Sequence, residues 1–175
     1  MSRTKIRDSD REEVARFVER HWRSRRVMSR GKVFYPHQEQ GFIERADGEI
    51  VGLLTYRIDE EEMEILTLNA TLEGQGIGSS LMLSAIEAAR RKHCKRIWLT
   101  TTNDNLRGIG FYQRLGFRMI EINLGVVDEA RKLKPEIPEI GERGIPIHDE
   151  IVMELQLQPY LDAEETGADS DSARS

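Results

Sequence analysis

Cysteine is almost absent, since only Cys94 carries a thiol in a chain of 175 residues. An internal disulfide is therefore impossible, and a disulfide scaffold is excluded. Histidine is scarce too, and its four copies are scattered without metal-ligand spacing, which removes zinc modules from consideration. No run approaches the roughly 18 to 20 consecutive apolar residues that a membrane-spanning helix requires, and the opening MSRTKIRDSD lacks the apolar stretch of a secretory signal. The expectation is a cytoplasmic protein without a membrane partner. With 38% hydrophobic residues, a chain of this length builds one core, so a multidomain machine is excluded.

What is present is charge, unevenly placed. The formal net charge is -5, yet residues 162–175, DAEETGADSDSARS, carry five acids and one Arg and so supply -4 of it. Small, polar and without an aromatic, this segment reads as a disordered acidic tail on a single domain of residues 1–161. Residues 70–118 hold an excess of five positive charges, and residues 119–161 an excess of five negative ones. The middle suits a polyanion and the segment after it suits a cation. A near-neutral body without a nucleic-acid motif leaves nucleic acid out of the expected partners.

Periodicity orders the elements. Lys5 and Ile6 suggest a short first strand, and Asp8 or Ser9 caps a helix whose stripe of Val14, Phe17 and Val18 runs to about Trp22. An irregular Arg-rich stretch follows. Gly41 to Ala46, Ile50 to Ile58 and Met63 to Asn69 then form an antiparallel meander across the turns ADGE and DEEE. From there the pattern is helical over about Ser79 to Lys92, extended over RIWLTTT, helical over NLRGIGFYQRL and extended over GFRMIEINL. Gly125 to Pro146, with Pro135 and Pro138 inside it, reads as a long connection and a candidate functional loop before a last strand, Glu150 to Leu157.

Two motifs carry chemistry. In Glu73-Gly74-Gln75-Gly76-Ile77-Gly78, alternate glycines let backbone approach a ligand, and the N–H groups of the helix that opens at Ser79 attract an anion. A plain glycine-rich turn is the bland alternative. A nucleotide P-loop would need Gly-Lys-Ser/Thr, and a dinucleotide fingerprint would need its glycines directly after the strand; both fail here on spacing. The second motif is Asn105-Leu-Arg-Gly-Ile-Gly-Phe-Tyr112, where Tyr112 lies seven residues after Asn105 on the same side of a helix. Alone, such a Tyr is more often core or rim.

Together, LEGQGIGSSLMLSAIEAA and NDNLRGIGFYQRLGF around RIWLTTT resemble the GNAT superfamily of acetyl-CoA-dependent N-acetyltransferases. The likeness covers about residues 3–157 in element order and is specific from Met63 to Phe117. It implies a mixed α/β fold: a mostly antiparallel twisted sheet, flanked by helices and splayed where the strands Met63 to Asn69 and Arg96 to Thr102 run parallel. It also implies acetyl-CoA as co-substrate and no metal. Backbone near Leu66 and Leu68 would meet the pantetheine arm, and Leu68 would face the acetyl oxygen. Gln75, Gly76, Gly78 and Ser79 would present N–H groups to the pyrophosphate, with Gly74 and Ile77 shaping the loop, and Asn105 would bond the pantetheine. Glu73 departs from the family's usual Gln or Arg, and a carboxylate repels phosphate, so Glu73 is expected to turn to solvent.

The reaction implied is direct acetyl transfer to a primary amine of a small molecule or peptide, with Tyr112 matching the family's general acid. Glu64 is the preferred base, because Glu62 and Glu64 share one face of EEMEILTLN; Asp149 or Glu150 is second, and His148 third. A non-catalytic module that binds acyl-CoA is the alternative, and a homodimer is left open. The acidic 119–161 segment favours a cationic amine, whereas Arg23, Arg25, Arg26, Arg30 and Lys32 favour an anionic group on the acceptor. An amino acid or peptide end satisfies both. Phe34 and Tyr35 are candidate pocket walls, and GERGIP a candidate cover.

Overall fold

The computed structural model describes residues 1–157, so the acidic tail expected at 162–175 lies outside the described residues. In chain order the elements are β1 (Ser2–Lys5), α1 (Arg11–Trp22), β2 (Val27–Ser29), β3 (Lys32–Phe34), β4 (Gln40–Ala46), β5 (Glu49–Asp59), β6 (Glu62–Ala70), α2 (Ile77–Arg91), β7 (Arg96–Thr102), α3 (Leu106–Arg114), β8 (Arg118–Asn123), α4 (Val126–Leu133) and β9 (Glu150–Gln156). Seven strands form one sheet in the order β1-β4-β5-β6-β7-β9-β8, and β2 pairs with β3 in a separate hairpin. Every neighbouring pair in the large sheet is antiparallel except β6 with β7. No described helix is long and apolar enough to cross a membrane.

Alternation along the strands divides the core between the two faces of the sheet. Leu54, Met63, Ile65, Ile97 and Leu99 point to one face, where Leu81, Met82, Ala85 and Ile86 of α2 and Ile109 of α3 cover them. Ile43, Ile50 and Leu53 point to the other and meet Val14, Phe17 and Val18 of α1. Arg45 ties α1 to the sheet by reaching Glu13 at 2.6 Å and the buried Asp10 at 3.3 Å.

The parallel pairing is short. Its register runs from Glu62↔Arg96 to Ile65↔Leu99, although β6 continues to Ala70 and β7 to Thr102. A bulge at Leu66 starts the divergence: β5 pairs Thr55 with Thr67 and Tyr56 with Ile65, which leaves Leu66 unopposed. Beyond it the two strands splay, and a V opens between them.

The structure departs from the sequence reading at several boundaries. Neither Asp8 nor Ser9 caps α1; a 3₁₀ turn over Asp8–Asp10 precedes it, and Asp10 accepts from the backbone N–H of Arg7 at 2.9 Å. α2 begins at Ile77 rather than Ser79, because Gly76 already sits at φ 70° as its N-cap. The Arg-rich stretch holds the β2–β3 hairpin, closed by Arg30 at φ 48° and Gly31 at φ 74°, a tight turn with both central residues left-handed. The long connection after Gly125 contains α4. Its VVDEARKL reads helical once its prolines are seen to fall only after the last turn.

Candidate active site

A cavity of about 770 Å³ passes through the mouth of the V. On one side it is lined by Leu66, Leu68, Thr101, Asn105 and Tyr112; on the other by Trp22, Val27, Val126, Ala130, Lys134 and Glu150. It therefore joins the splayed strand ends to a chamber between the Arg23–Tyr35 segment and the 125–146 connection. Of the basic residues in the first segment, Arg23 lines this cavity, while Arg25 is paired with Glu12 at 3.2 Å and Glu19 at 3.1 Å. Phe34 is buried and Tyr35 is exposed, and neither is among the lining residues. Gly141 and Glu142 of GERGIP do contribute to the wall.

The glycine loop stands at the start of α2. Gly74 and Gly76 adopt φ values of 73° and 70°, and a Cβ at either would meet nothing within 4 Å, so both glycines serve conformation and leave open space above the loop. No side chain caps α2, and its first N–H groups are left for an anion. Gly78 faces Phe111 of α3 at 3.5 Å from an added Cβ. Glu73 is exposed and accepts from Arg107 at 2.6 Å. That pair is exposed, and Arg107 holds the Glu73 carboxyl below its ordinary range. The Arg90-Arg91-Lys92 run closes the opposite end of the helix, where Arg91 pairs with Glu87.

Asn105 does local work in α3. Its Oδ1 accepts from the Gly108 N–H at 2.9 Å and its Nδ2 donates to Thr101 Oγ1 at 2.9 Å. It therefore caps the helix and ties it to β7. Gly108 belongs to the same arrangement, since a Cβ there would come within 2.3 Å of the Asn105 side chain. Seven residues on, Tyr112 is half-buried between Phe111 and Phe117, at centroid distances of 5.4 and 5.8 Å. Burial pushes its phenol up to about 12, so it keeps its proton at neutral pH.

Glu64 of β6 and Glu150 of β9 are buried carboxylates. Glu64 is 8% exposed and Glu150 is 7% exposed, and in each Oε1 has no hydrogen-bond partner. Glu150 lines the cavity, with its Oε2 accepting from the Arg30 N–H at 3.3 Å. Glu64 is not among the lining residues. Burial pushes its carboxyl above the ordinary range, and the Ser29 hydroxyl pulls it the other way. Ser29 Oγ in turn lies 3.2 Å from Thr100 Oγ1, and Thr100 does line the cavity. Asp149 is already engaged, accepting from the Gly125 N–H at 2.8 Å. His148 is exposed and bonds Asp128 at 2.9 Å. Cys94 is buried in the core with α2.

Three contributors escaped the sequence reading. Asn103 Oδ1 accepts from the N–H groups of His148 and Asp149 at 3.0 Å each, which positions the entry to β9. Arg131 reaches the carbonyls of Ile137 at 3.1 Å, Pro138 at 3.0 Å and Ile147 at 2.8 Å, folding the connection back on itself. Lys134 is 6% exposed and lines the cavity. The spacing of Val126, Ala130 and Lys134, one helical face, was the available sign.

Comparison with known proteins agrees with this geometry. Residues 5–117 match the family model described as Acetyltransferase (GNAT) family. The chain is similar to the uncharacterized protein YxbD of Bacillus subtilis, at 38% identity over 83% of this chain and 92% of that one. It is also similar to YdhI of the same organism, at 41% identity over 78% and 86%. Among solved structures, a Bacillus subtilis acetyltransferase in complex with CoA aligns at 25% identity with a TM-score of 0.60, covering 71% of this chain and 80% of that one. The splayed parallel pair, the uncapped glycine loop and the run of matched residues lead to one assignment: the chain belongs to the GNAT acetyltransferase family.

Proposed function

We propose that the protein is an N-acetyltransferase that moves an acetyl group from acetyl-CoA to a primary amine of a small molecule or peptide in a ternary complex. The observation that carries this reading is the continuous cavity from Leu66, Leu68 and Tyr112 to Glu150. Open space above Gly74 and Gly76 and the uncapped start of α2 fit the phosphates of CoA, held by N–H groups of Gln75, Gly76, Gly78 and Ser79. The strand edge at Leu66 and Leu68 fits the pantetheine arm, and Asn105 stands beside it. With Glu73 paired to Arg107, its carboxylate no longer opposes the anion there.

Acetyl-CoA supplies an activated acetyl group: the acceptor nitrogen forms the new C–N bond, the C–S bond breaks, and CoA leaves as the thiol. The chain manages the protons. An alkylammonium has a pKa near 10.4 and cannot attack until it loses one. Glu64 takes that proton through the Thr100 and Ser29 hydroxyls, its raised affinity for a proton suiting it to the task. Tyr112 gives its phenolic proton to the departing sulfur and regains one, by way of solvent, from the nitrogen that has just been acylated. The N–H at Leu68 offers a donor to the acetyl oxygen.

Thiol release from acetyl-CoA across a panel of amines tests the reading, with Tyr112→Phe as control. Turnover with at least one amine, reduced about 100-fold in the variant, is the expected result. Acetyl-CoA binding without turnover on any amine would instead make the protein an acyl-CoA-binding module.

A further inference from the structure

The chamber beyond the V holds one buried cation as well as a buried anion. Lys134 Nζ donates to the Arg26 carbonyl at 2.9 Å and, among the described residues, forms no ion pair. An ammonium has three donors, so two are left over on a side chain that lines the cavity. Several other charges near the acceptor side are already engaged, while Arg23, Glu136 and Glu142 also line the cavity. Arg30 pairs with Glu121 at 3.6 Å, Lys132 with Glu129 at 2.7 Å, and Asp104 accepts from the Glu142 N–H at 3.1 Å. Glu150 Oε1 is the buried carboxylate oxygen that still lacks a partner on this wall.

α4 holds the two groups apart. Val126, Ala130 and Lys134 recur on one face and all line the cavity. The helix start is pinned beside β9, because the Gly125 N–H donates to Asp149 Oδ1 at 2.8 Å and the Val127 N–H to the His148 carbonyl at 3.0 Å. Lys134 closes the other end, about 12 Å along the axis from Val126. The apolar side chains between them fit a short hydrocarbon stretch. Charged groups so buried, with donors and acceptors unused, are costly unless something completes them.

We propose that the acceptor is an amine that also carries a carboxylate, its ammonium held by Glu150 Oε1 and its carboxylate by Lys134 Nζ. This rests on the acetyl-transfer reading above and names the substrate class of that same site. A single carboxylate is favoured over a phosphate dianion because Glu136 and Glu142 share the wall with Lys134 and would repel a second negative charge.

The test compares a chain-length series of ω-amino carboxylates with n-alkylamines of equal length that lack the carboxylate, alongside calorimetric titration of n-alkanoates, which carry the carboxylate but no amine. The wild-type protein is expected to prefer the carboxylated amines by KM and to bind an alkanoate. Lys134→Met should lower that preference about 10- to 100-fold and weaken alkanoate binding by a similar factor, whereas Lys134→Arg should retain most of both. Equal loss on amines with and without the carboxylate in Lys134→Met would make Lys134 a clasp between α4 and Arg26 and overturn the proposal. Turnover without any carboxylate preference would also overturn it while leaving the transfer reading intact. Conversely, Lys134-dependent alkanoate binding in a protein that acetylates nothing would sink the transfer reading and keep the anion site.

Discussion

Residues at the site divide by what burial does to their protons. Tyr112 is packed between two phenylalanines and keeps its phenolic proton to about 12. The alkaline limb of kcat should therefore show no fall near pH 10 that Tyr112→Phe abolishes; such a fall would mean a solvated phenol. Glu64 is the opposite problem, a carboxylate whose ionised form is disfavoured by burial. Its folded pKa lies above the unfolded value of about 4.5, so its ionisation costs stability above the folded pKa, and the cost vanishes below the unfolded one. Glu64→Gln should thus raise Tm at neutral pH, with the gain fading as pH falls toward about 4.5 and absent below it, and the same variant should lower kcat and erase the acid limb of the rate profile. A stability gain with unchanged kcat would remove Glu64 from the chemistry.

Among the elements, the loop before α2 and the connection around α4 decide what the site can hold. Gly76 stands at φ 70°, where a Cβ costs about 1 to 2 kcal/mol. Gly76→Ala should therefore lower Tm modestly and weaken acetyl-CoA binding more than acceptor binding, measured by separate titrations. Glu73→Gln leaves the backbone alone and releases Arg107. It should tighten CoA at low ionic strength, the gain shrinking with added salt as exposed charges are screened. In the connection, Arg131 is the one side chain that gathers Ile137, Pro138 and Ile147. Arg131→Ala should speed amide exchange across residues 135–147 and raise the KM of the acceptor while leaving that of acetyl-CoA in place. Unchanged exchange would show that the connection is held by other contacts.

For the molecule as a whole, acid stability should follow the cluster that ties α1 to β4. Asp10 is 4% exposed, and the Arg7 guanidinium holds its carboxyl below the ordinary range. A depressed folded pKa stabilises the fold above the unfolded value, and that contribution is lost as pH falls through the folded one. Asp10→Asn should therefore lower Tm at neutral pH, with the deficit closing below about pH 3.8. An equal deficit at all pH values would point to packing instead of charge.

Much of this protein is local and so could be read along the chain. The alternation of β5 and β6, the stripe of α1 and the spacing from Asn105 to Tyr112 depend on neighbours a few residues away, and they made the order of most elements legible. The departures came where a local preference was weak or a partner distant. Arg30-Gly31 closes a hairpin despite an unusual first turn residue, and α4 hides among prolines that only bound it. Asp149 and Glu150 are adjacent in sequence and equivalent there, yet Gly125 engages one and leaves the other facing the cavity. Which carboxylate is free, and that a buried Lys134 stands opposite it, was settled by the tertiary structure alone. Desolvation and long-range hydrogen bonding assign those roles, and neither is a property of a residue's neighbours along the chain.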